Sequence, residues 1–124
     1  MNLPEILFYN LASSKGFKIE KLCKRLGIQV RYVKEEEYQV TLGYLCGLIE
    51  ESIEKSEVGA ITEEMFVMVG FTETLLERFL KEFKKIHVES VRLKAVLTEH
   101  NREWTSYALY QELCKERDYY SGKE

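Results

Sequence analysis

Apolar residues fall along this chain in two alternating patterns, and the alternation is written twice. The first copy opens with Glu5-Ile6-Leu7-Phe8-Tyr9-Asn10-Leu11, a short and nearly continuous apolar run. Such a run predicts a strand covered on both faces. Next, Ile19, Leu22, Cys23 and Leu26 recur at i, i+3, i+4 and i+7, the single stripe of an amphipathic helix. Ser13 or Ser14 can accept from the free N–H groups at its start. Gly27 sits where a left-handed residue ends a helix. Ile28, Val30, Tyr32 and Val33 predict a second strand, and Lys34 to Glu37 form a charged turn. The stripe Leu42, Leu45, Cys46, Ile49, Ile53 then predicts a helix from about Tyr38 to Glu54. Gly43 and Gly47, four apart on one side of it, cost up to ~1 kcal/mol each relative to alanine and are expected to serve close packing.

After a connection over Ser56 to Ala60 the pattern restarts. Met65 to Val69 predict a third strand, Gly70 ends it, and Thr72 is suited to cap the next helix. Leu75, Leu76, Phe79, Leu80 and Phe83 supply that helix's stripe. Val88, Val91 and Leu93 predict the fourth strand, with Lys94 to Leu97 extending it or turning away. A polar loop from Thr98 to Asn101 leads to a last helix, with Asn101 as its cap and Trp104, Tyr107, Ala108, Leu113 and Cys114 on its buried side.

This order predicts an α/β fold: one small domain over residues 1–120 with a mostly parallel four-stranded sheet and helices on both faces. A βαβα duplication with strand order 2-1-3-4 fits the pattern, and residues 121–124 are expected to fray. The alternative is a ferredoxin-like α+β arrangement, which needs the middle helix to be a loop and the second and third strands paired otherwise. In the parallel reading the switch point lies between the first and third strands. That gathers Asn10, Leu11, Ala12, Ser13, Gly70, Phe71 and Thr72 around one crevice.

Composition narrows the class. The chain has 124 residues, 45% of them hydrophobic, enough for a core, and one proline and seven glycines leave little room for linkers. No apolar run approaches the roughly 20 residues that span a bilayer. The start lacks the basic and then apolar signature of a secretory leader, so a cytoplasmic protein without membrane association is expected. Cys23, Cys46 and Cys114 are odd in number and widely spaced, which suits reduced thiols. The net charge of −3 hides a division. Residues 1–34 carry seven Lys/Arg against two Glu, residues 35–64 one Lys against nine Glu, and residues 65–124 ten of each sign. Nucleic acid is an unfavoured partner, since dedicated binders show a basic surplus.

A further string is distinctive: Val67-Met68-Val69-Gly70-Phe71-Thr72, then Leu75-Leu76, then Lys94-Ala95-Val96-Leu97-Thr98-Glu99-His100-Asn101 and Trp104-Thr105. Through these residues the stretch from Glu64 to Leu113 resembles the core of a bacterial family known only as a domain of unknown function. The resemblance implies a small cytoplasmic bacterial domain. It implies no catalytic residue and no cofactor, because that family has no assigned activity.

Candidate chemistry is sparse. Lys94, Thr98, Asn101 and Trp104, with Glu99 and His100, collect polar groups ahead of a helix, where free N–H groups attract an anion. Lys94 would add charge, Asn101 an amide and Trp104 a stacking face, against the simpler reading of caps and a core anchor. His100 with Glu99 and Glu103 is a poor metal set, having no second His and no nearby Cys. The loop Asn10 to Gly16 follows a strand and precedes a helix, yet lacks the glycines of a phosphate loop, so capping by its serines explains it. Cys23 has Lys21, Lys24 and Arg25 as neighbours, which favours a thiolate, but it lies on the apolar stripe, where a thiol behaves as a small hydrophobe. Lys15, Lys18, Lys21, Lys24 and Arg25 make a basic face with Phe17 as its one aromatic neighbour, which reads as a solvated surface. Tyr107, Tyr110, Tyr119 and Tyr120 are too many for one buried stripe and open the prospect of a homo-oligomer, such as a homodimer, through the last helix.

No catalytic triad, metalloprotease motif or cofactor fingerprint is present in the sequence. The expectation is therefore a non-catalytic binding or regulatory module for a small anionic ligand or a protein partner, with no metal and no cofactor. Its ligand-binding candidates are Lys94, Thr98, Asn101, Trp104, Asn10, Ser13, Gly70 and Thr72. An enzyme of unrecognised type, with a site at the carboxyl ends of the strands, is the second reading.

Overall fold

The computed structural model describes residues 4–50 and 59–121. Its order is β1 (Glu5–Tyr9), α1 (Ser14–Arg25), β2 (Gln29–Tyr32), a 3₁₀ turn (Glu35–Glu37), α2 (Leu42–Leu45), β3 (Met65–Val69), α3 (Glu73–Lys85), β4 (Leu93–Val96) and α4 (Ser106–Ser121). The described residues form two compact units, one from 4–32 and 63–96, the other from 33–50, 59–62 and 97–121.

The first unit holds the sheet. Its strand order is β2-β1-β3-β4, the order the repeated pattern predicts. The directions differ from the prediction: β1 runs parallel to β2 and β3 parallel to β4, but β1 and β3 are antiparallel, so the sheet is mixed and not mostly parallel. Tyr9 stands opposite Met65 and Glu5 opposite Val69. The carboxyl ends of β1 and β3 therefore lie at opposite ends of this central strand pair. The single crevice expected around Asn10, Ser13, Gly70 and Thr72 does not form. Gly70 is five residues beyond the partner of Tyr9, roughly 17 Å along an antiparallel strand. A ferredoxin-like sheet is also absent, since β2 and β3 are not neighbours.

The reversal has a second consequence. β1-α1-β2 and β3-α3-β4 each connect parallel neighbours, and such crossovers are right-handed. Two right-handed crossovers leaving antiparallel central strands in opposite directions put both helices on one face. The same order in a fully parallel sheet puts them on opposite faces. Accordingly α1 and α3 share one core: Ile19, Leu22, Cys23 and Phe79 pack with Ile6, Phe8, Phe66 and Met68. Leu7, Tyr9, Met65 and Val67 alternate to the other face and are buried as well.

The halves of this unit match in detail. Asn10 (φ 57°) and Gly70 (φ 71°) end β1 and β3 in the left-handed region. The side chains of Ser13 and Thr72 accept from Gly16 N and Leu75 N and cap α1 and α3. Gly27 (φ 75°) and His87 (φ 54°) follow the two helices. After His87 the second half takes a longer path. β4 spans Leu93–Val96, so Val88 and Val91, expected in that strand, lie in the approach to it.

In the second unit the long helix expected over 38–54 is replaced by the 3₁₀ turn and the single turn of α2. Gly47 adopts φ 74° and ends the helix, and the amides of Leu48 and Ile49 both turn back to the Gly43 carbonyl. The part of that expectation over 51–54 lies outside the described residues. Gly43 does serve close packing: its amide donates to the Arg102 carbonyl at 2.8 Å, and a Cβ there would stand 3.0 Å from that oxygen. Thr41 and Thr105 form an antiparallel bridge, and each hydroxyl caps the helix after it, Thr41 for α2 and Thr105 through Ala108 N. Asn101, expected to cap α4, instead closes a turn with Thr98, because Thr105 stands immediately before the first helical residue. Leu109 is the buried apolar anchor of α4, while Trp104 and Tyr107 are half-buried. The fraying expected at 121–124 falls, past Ser121, outside the described residues.

Candidate functional site

Lys94 lies on β4 directly opposite Phe66 of β3, so both project to the face that carries α3. Beside them opens a cavity of about 300 Å³ lined by Phe66, Leu80, Phe83, Lys84, Ser90, Val91 and Lys94. Each lining residue is placed by the local pattern. Leu80, Phe83 and Lys84 are spaced i, i+3 and i+4 and share one side of α3. Phe66 is fully buried in the centre of β3. Ser90 and Val91 come from the longer path into β4 that the first half lacks.

The aromatic wall is rigidly held. Phe66 meets Phe79 edge to face at 5.9 Å, Phe83 lies 5.9 Å from Phe79 and 6.3 Å from Phe66, and Phe71 closes the cluster at 5.8 Å from Phe79. Lys84 and Lys94 are exposed at the rim, and neither makes an ion pair among the described residues. An apolar bowl with two lysines at its mouth can bury the body of a ligand and hold an anionic group near water.

The other candidates have structural employment. The Asn10 side chain donates to the Glu63 carbonyl at 3.1 Å. Ser13 and Thr72 are helix caps, and Gly70 supplies a left-handed strand end. In the second unit the Thr98 amide donates to Asn101 Oδ1 at 2.9 Å, and the Asn101 amide donates to Thr98 Oγ1 at 3.2 Å. Trp104 stacks edge-on against His100 at 5.3 Å, and its carbonyl accepts from Leu42 N. Of the eight residues, Lys94 is the one whose functional group lines the cavity. Lys84, Phe66 and Phe83 were not singled out from sequence as lining a site. The signal for them was the i, i+4 pair Phe79 and Phe83 followed by a lysine, which reads equally as a core stripe and a solvated edge.

The basic face of α1 is less open to a ligand. A recess of about 320 Å³ is lined by Ser14, Lys15, Lys18, His87, Val88 and Glu89. Lys15 is already engaged: its Nζ lies 2.6 Å from Glu64 Oε1 and 3.2 Å from the Ser90 carbonyl. Cys23 is fully buried, and burial, with Glu20 adding its negative charge, pushes its thiol up to about 12. That is the reverse of an activated nucleophile, which needs a lowered pKa. Among the described residues no three His, Cys, Asp or Glu side chains gather as a metal set. No helix among them is long and apolar enough to cross a membrane.

Residues 64–120 match the model of a family described as a domain of unknown function, DUF3783. The match starts one residue before β3 and runs into α4, so it takes in the cavity and all its lining residues. The similarity read from the sequence over 64–113 falls inside it. No curated protein and no solved structure matches the chain.

Proposed function

We propose that this protein is a non-catalytic binding module whose ligand is a small organic anion, held in the cavity between α3 and β4. The observation that carries the reading is the pairing of Lys84 and Lys94 at the rim of an otherwise apolar cavity. The two cationic side chains come from separate elements and border one opening, a positive mouth that attracts an anion. The cavity is at the lower end of the roughly 300–1,000 Å³ found for small-molecule sites. No side chain lining it is a carboxylate, imidazole or thiol, which supports binding over acid–base or nucleophilic chemistry. The odd number and wide spacing of Cys23, Cys46 and Cys114 suit reduced thiols, which supports placement in the reducing cytoplasm. Self-association through α4 is a second reading, favoured by Tyr119 and Tyr120, which are 59% and 69% exposed.

The experiment is an amide NMR titration with a panel of carboxylates and phosphate esters. Binding is expected to move the resonances of Phe66, Lys84, Ser90 and Lys94 together. Loss of a charged contact is worth about 1.5–3 kcal/mol, so Lys94→Ala is expected to weaken affinity by roughly ten- to a hundredfold. A panel that leaves those four resonances unmoved rejects the reading.

A further inference from the structure

The two halves of the sheet unit are built alike, and they differ most beside this cavity. Val30 stands opposite Ile6 in the first half as Lys94 stands opposite Phe66 in the second. Counting back from Gly27 and His87, Glu20 matches Leu80, Cys23 matches Phe83 and Lys24 matches Lys84. Counting along β2 and β4, Tyr32 matches Val96.

In the first half these positions are sealed. The Tyr32 ring lies edge-on to Phe8 at 5.4 Å and also meets Phe17, and its hydroxyl donates to Glu20 Oε1 at 2.6 Å. Cys23 beneath is wholly buried. In the second half the seal is missing. Val96 is too short to reach across, and Leu80 has no hydrogen bond to offer. Both are 38% exposed. The first half thus supplies its own aromatic cover, while the second leaves apolar surface open and adds a lysine.

On the reading that the cavity binds an anion, we infer that its ligand is an aryl-substituted monocarboxylate: a flat ring for the apolar walls and one carboxylate for the rim lysines. Three features select this class. The first is the lining, where Phe66, Leu80, Phe83 and Val91 offer no hydrogen bond and Ser90 has the one hydroxyl. A phosphorylated sugar would bury several hydroxyls against these walls with no partner, which is unfavourable. The second is geometry. A ring entering beside Phe66 and Phe83 extends a cluster already arranged largely edge to face, a geometry that aromatic pairs favour. The third is size. At about 300 Å³ the cavity is at the lower end of small-molecule sites, which suits a single substituted or fused ring.

The test uses the full chain and four probes: 1-naphthaleneacetate, its uncharged amide, glucose 6-phosphate and inorganic phosphate. Affinity is read by NMR titration. The expected result is saturable binding of 1-naphthaleneacetate at the cavity resonances, at least tenfold weaker for the amide and for the Lys94→Ala variant. Lys94→Arg is expected to restore most of the affinity, since it restores the charge. Glucose 6-phosphate and inorganic phosphate are expected to bind at least tenfold more weakly than the aryl acid. If either phosphate binds there more tightly, through Lys94, the ligand class is wrong while the anion site stands. If the amide binds as well as the acid, the lysines do not select an anion, and both readings fall. Unchanged cavity resonances with all four probes also overturn both.

Discussion

The Tyr32 hydroxyl donates to Glu20 Oε1 at 2.6 Å and so ties the edge strand β2 to the middle of α1. A hydrogen bond to a charged acceptor is worth about 1.5–3 kcal/mol, less where water reaches it. Tyr32 and Glu20 are both half-buried. Tyr32→Phe keeps the edge-on contacts with Phe8 and Phe17 and removes this bond alone, so a loss of about 1 kcal/mol is expected. Urea unfolding at pH 7 reads it. Tyr32→Ala is expected to cost at least twice as much, because it also uncovers Cys23.

The same pair makes the fold sensitive to alkali. Burial, with the bond to Glu20 second, raises the Tyr32 hydroxyl above its usual value, and burial pushes Cys23 up to about 12 from a reference of 9.0. A raised pKa in the folded state means that the unfolded chain releases its proton first. Stability is therefore full below pH 9 and declines from there to about 12 as Cys23 ionises in the unfolded chain only. One such group changes the slope by about 1.4 kcal/mol per pH unit. The slope of unfolding free energy between pH 9 and 11 is expected to be shallower by about that amount in Cys23→Ala than in the wild type. Equal slopes would show that the thiol is not held protonated by the fold.

Gly16 marks a place where no side chain fits. A Cβ there would collide with the Leu11 carbonyl oxygen, which lies on the chain's own path from β1 into α1. Backbone cannot move aside as a flexible side chain does. Gly16→Ala is expected to cost about 3 kcal/mol, the upper range for overpacking, despite alanine's better helix propensity. By contrast, a Cβ at Gly27 would meet nothing within 4 Å, and strain there comes from φ 75° alone. Thermal unfolding of both alanine variants is expected to rank Gly16→Ala well below Gly27→Ala.

Much of this was legible. Thr72 and Gly27 carry the chemistry of helix ends in a side chain or the lack of one and are assigned from the sequence alone, while the sequence offers Ser13 and Ser14 equally and the structure selects Ser13. The strand order followed from the repeat. The direction of β3 relative to β1 did not, because Met65 to Val69 is buried on both faces and reads the same in either direction. The helix expected past Leu45 failed for a local reason: Gly47 can follow a helical stripe or end it, and periodicity weighs only the apolar positions. Lys94 was legible as a candidate, but Lys84 was not, since its place beside the cavity depends on which face α3 presents to β4.

Asn10 and Gly70 test whether the two strand ends are equivalent. Both are left-handed, at φ 57° and 71°, a region that costs other residues about 1–2 kcal/mol. Asn10 adds a bond from Nδ2 to the Glu63 carbonyl. Asn10→Ala is expected to lose about 2 kcal/mol, from the backbone and the bond together. Asn10→Gly is expected to lose less than half of that, since only the bond goes. At the other end, Gly70→Asn is expected to be nearly neutral and Gly70→Ala to cost about 1 kcal/mol. Chemical denaturation of the four variants checks the ranking.

Phe79 separates fold from ligand most cleanly, because it touches the cavity wall without lining it. Its ring is fully buried and meets Phe66, Phe71 and Phe83 at 5.8 to 5.9 Å. Phe79→Ala is expected to cost about 3–5 kcal/mol, the usual range for a buried phenylalanine, which leaves a small protein close to unfolding. Phe79→Leu keeps most of the volume and is expected to cost about 1.5 kcal/mol. It also frees Phe66 and Phe83 to tilt, since the edge-to-face contacts that fix them are gone. The affinity for 1-naphthaleneacetate is expected to fall severalfold in Phe79→Leu with both lysines in place, while Phe71→Leu, which alters a ring that packs on Phe79 at 5.8 Å and does not line the cavity, is expected to leave it nearly unchanged. Equal affinity in wild type and Phe79→Leu would mean that the wall needs no support from this ring, and that the site is shaped by the lysines alone.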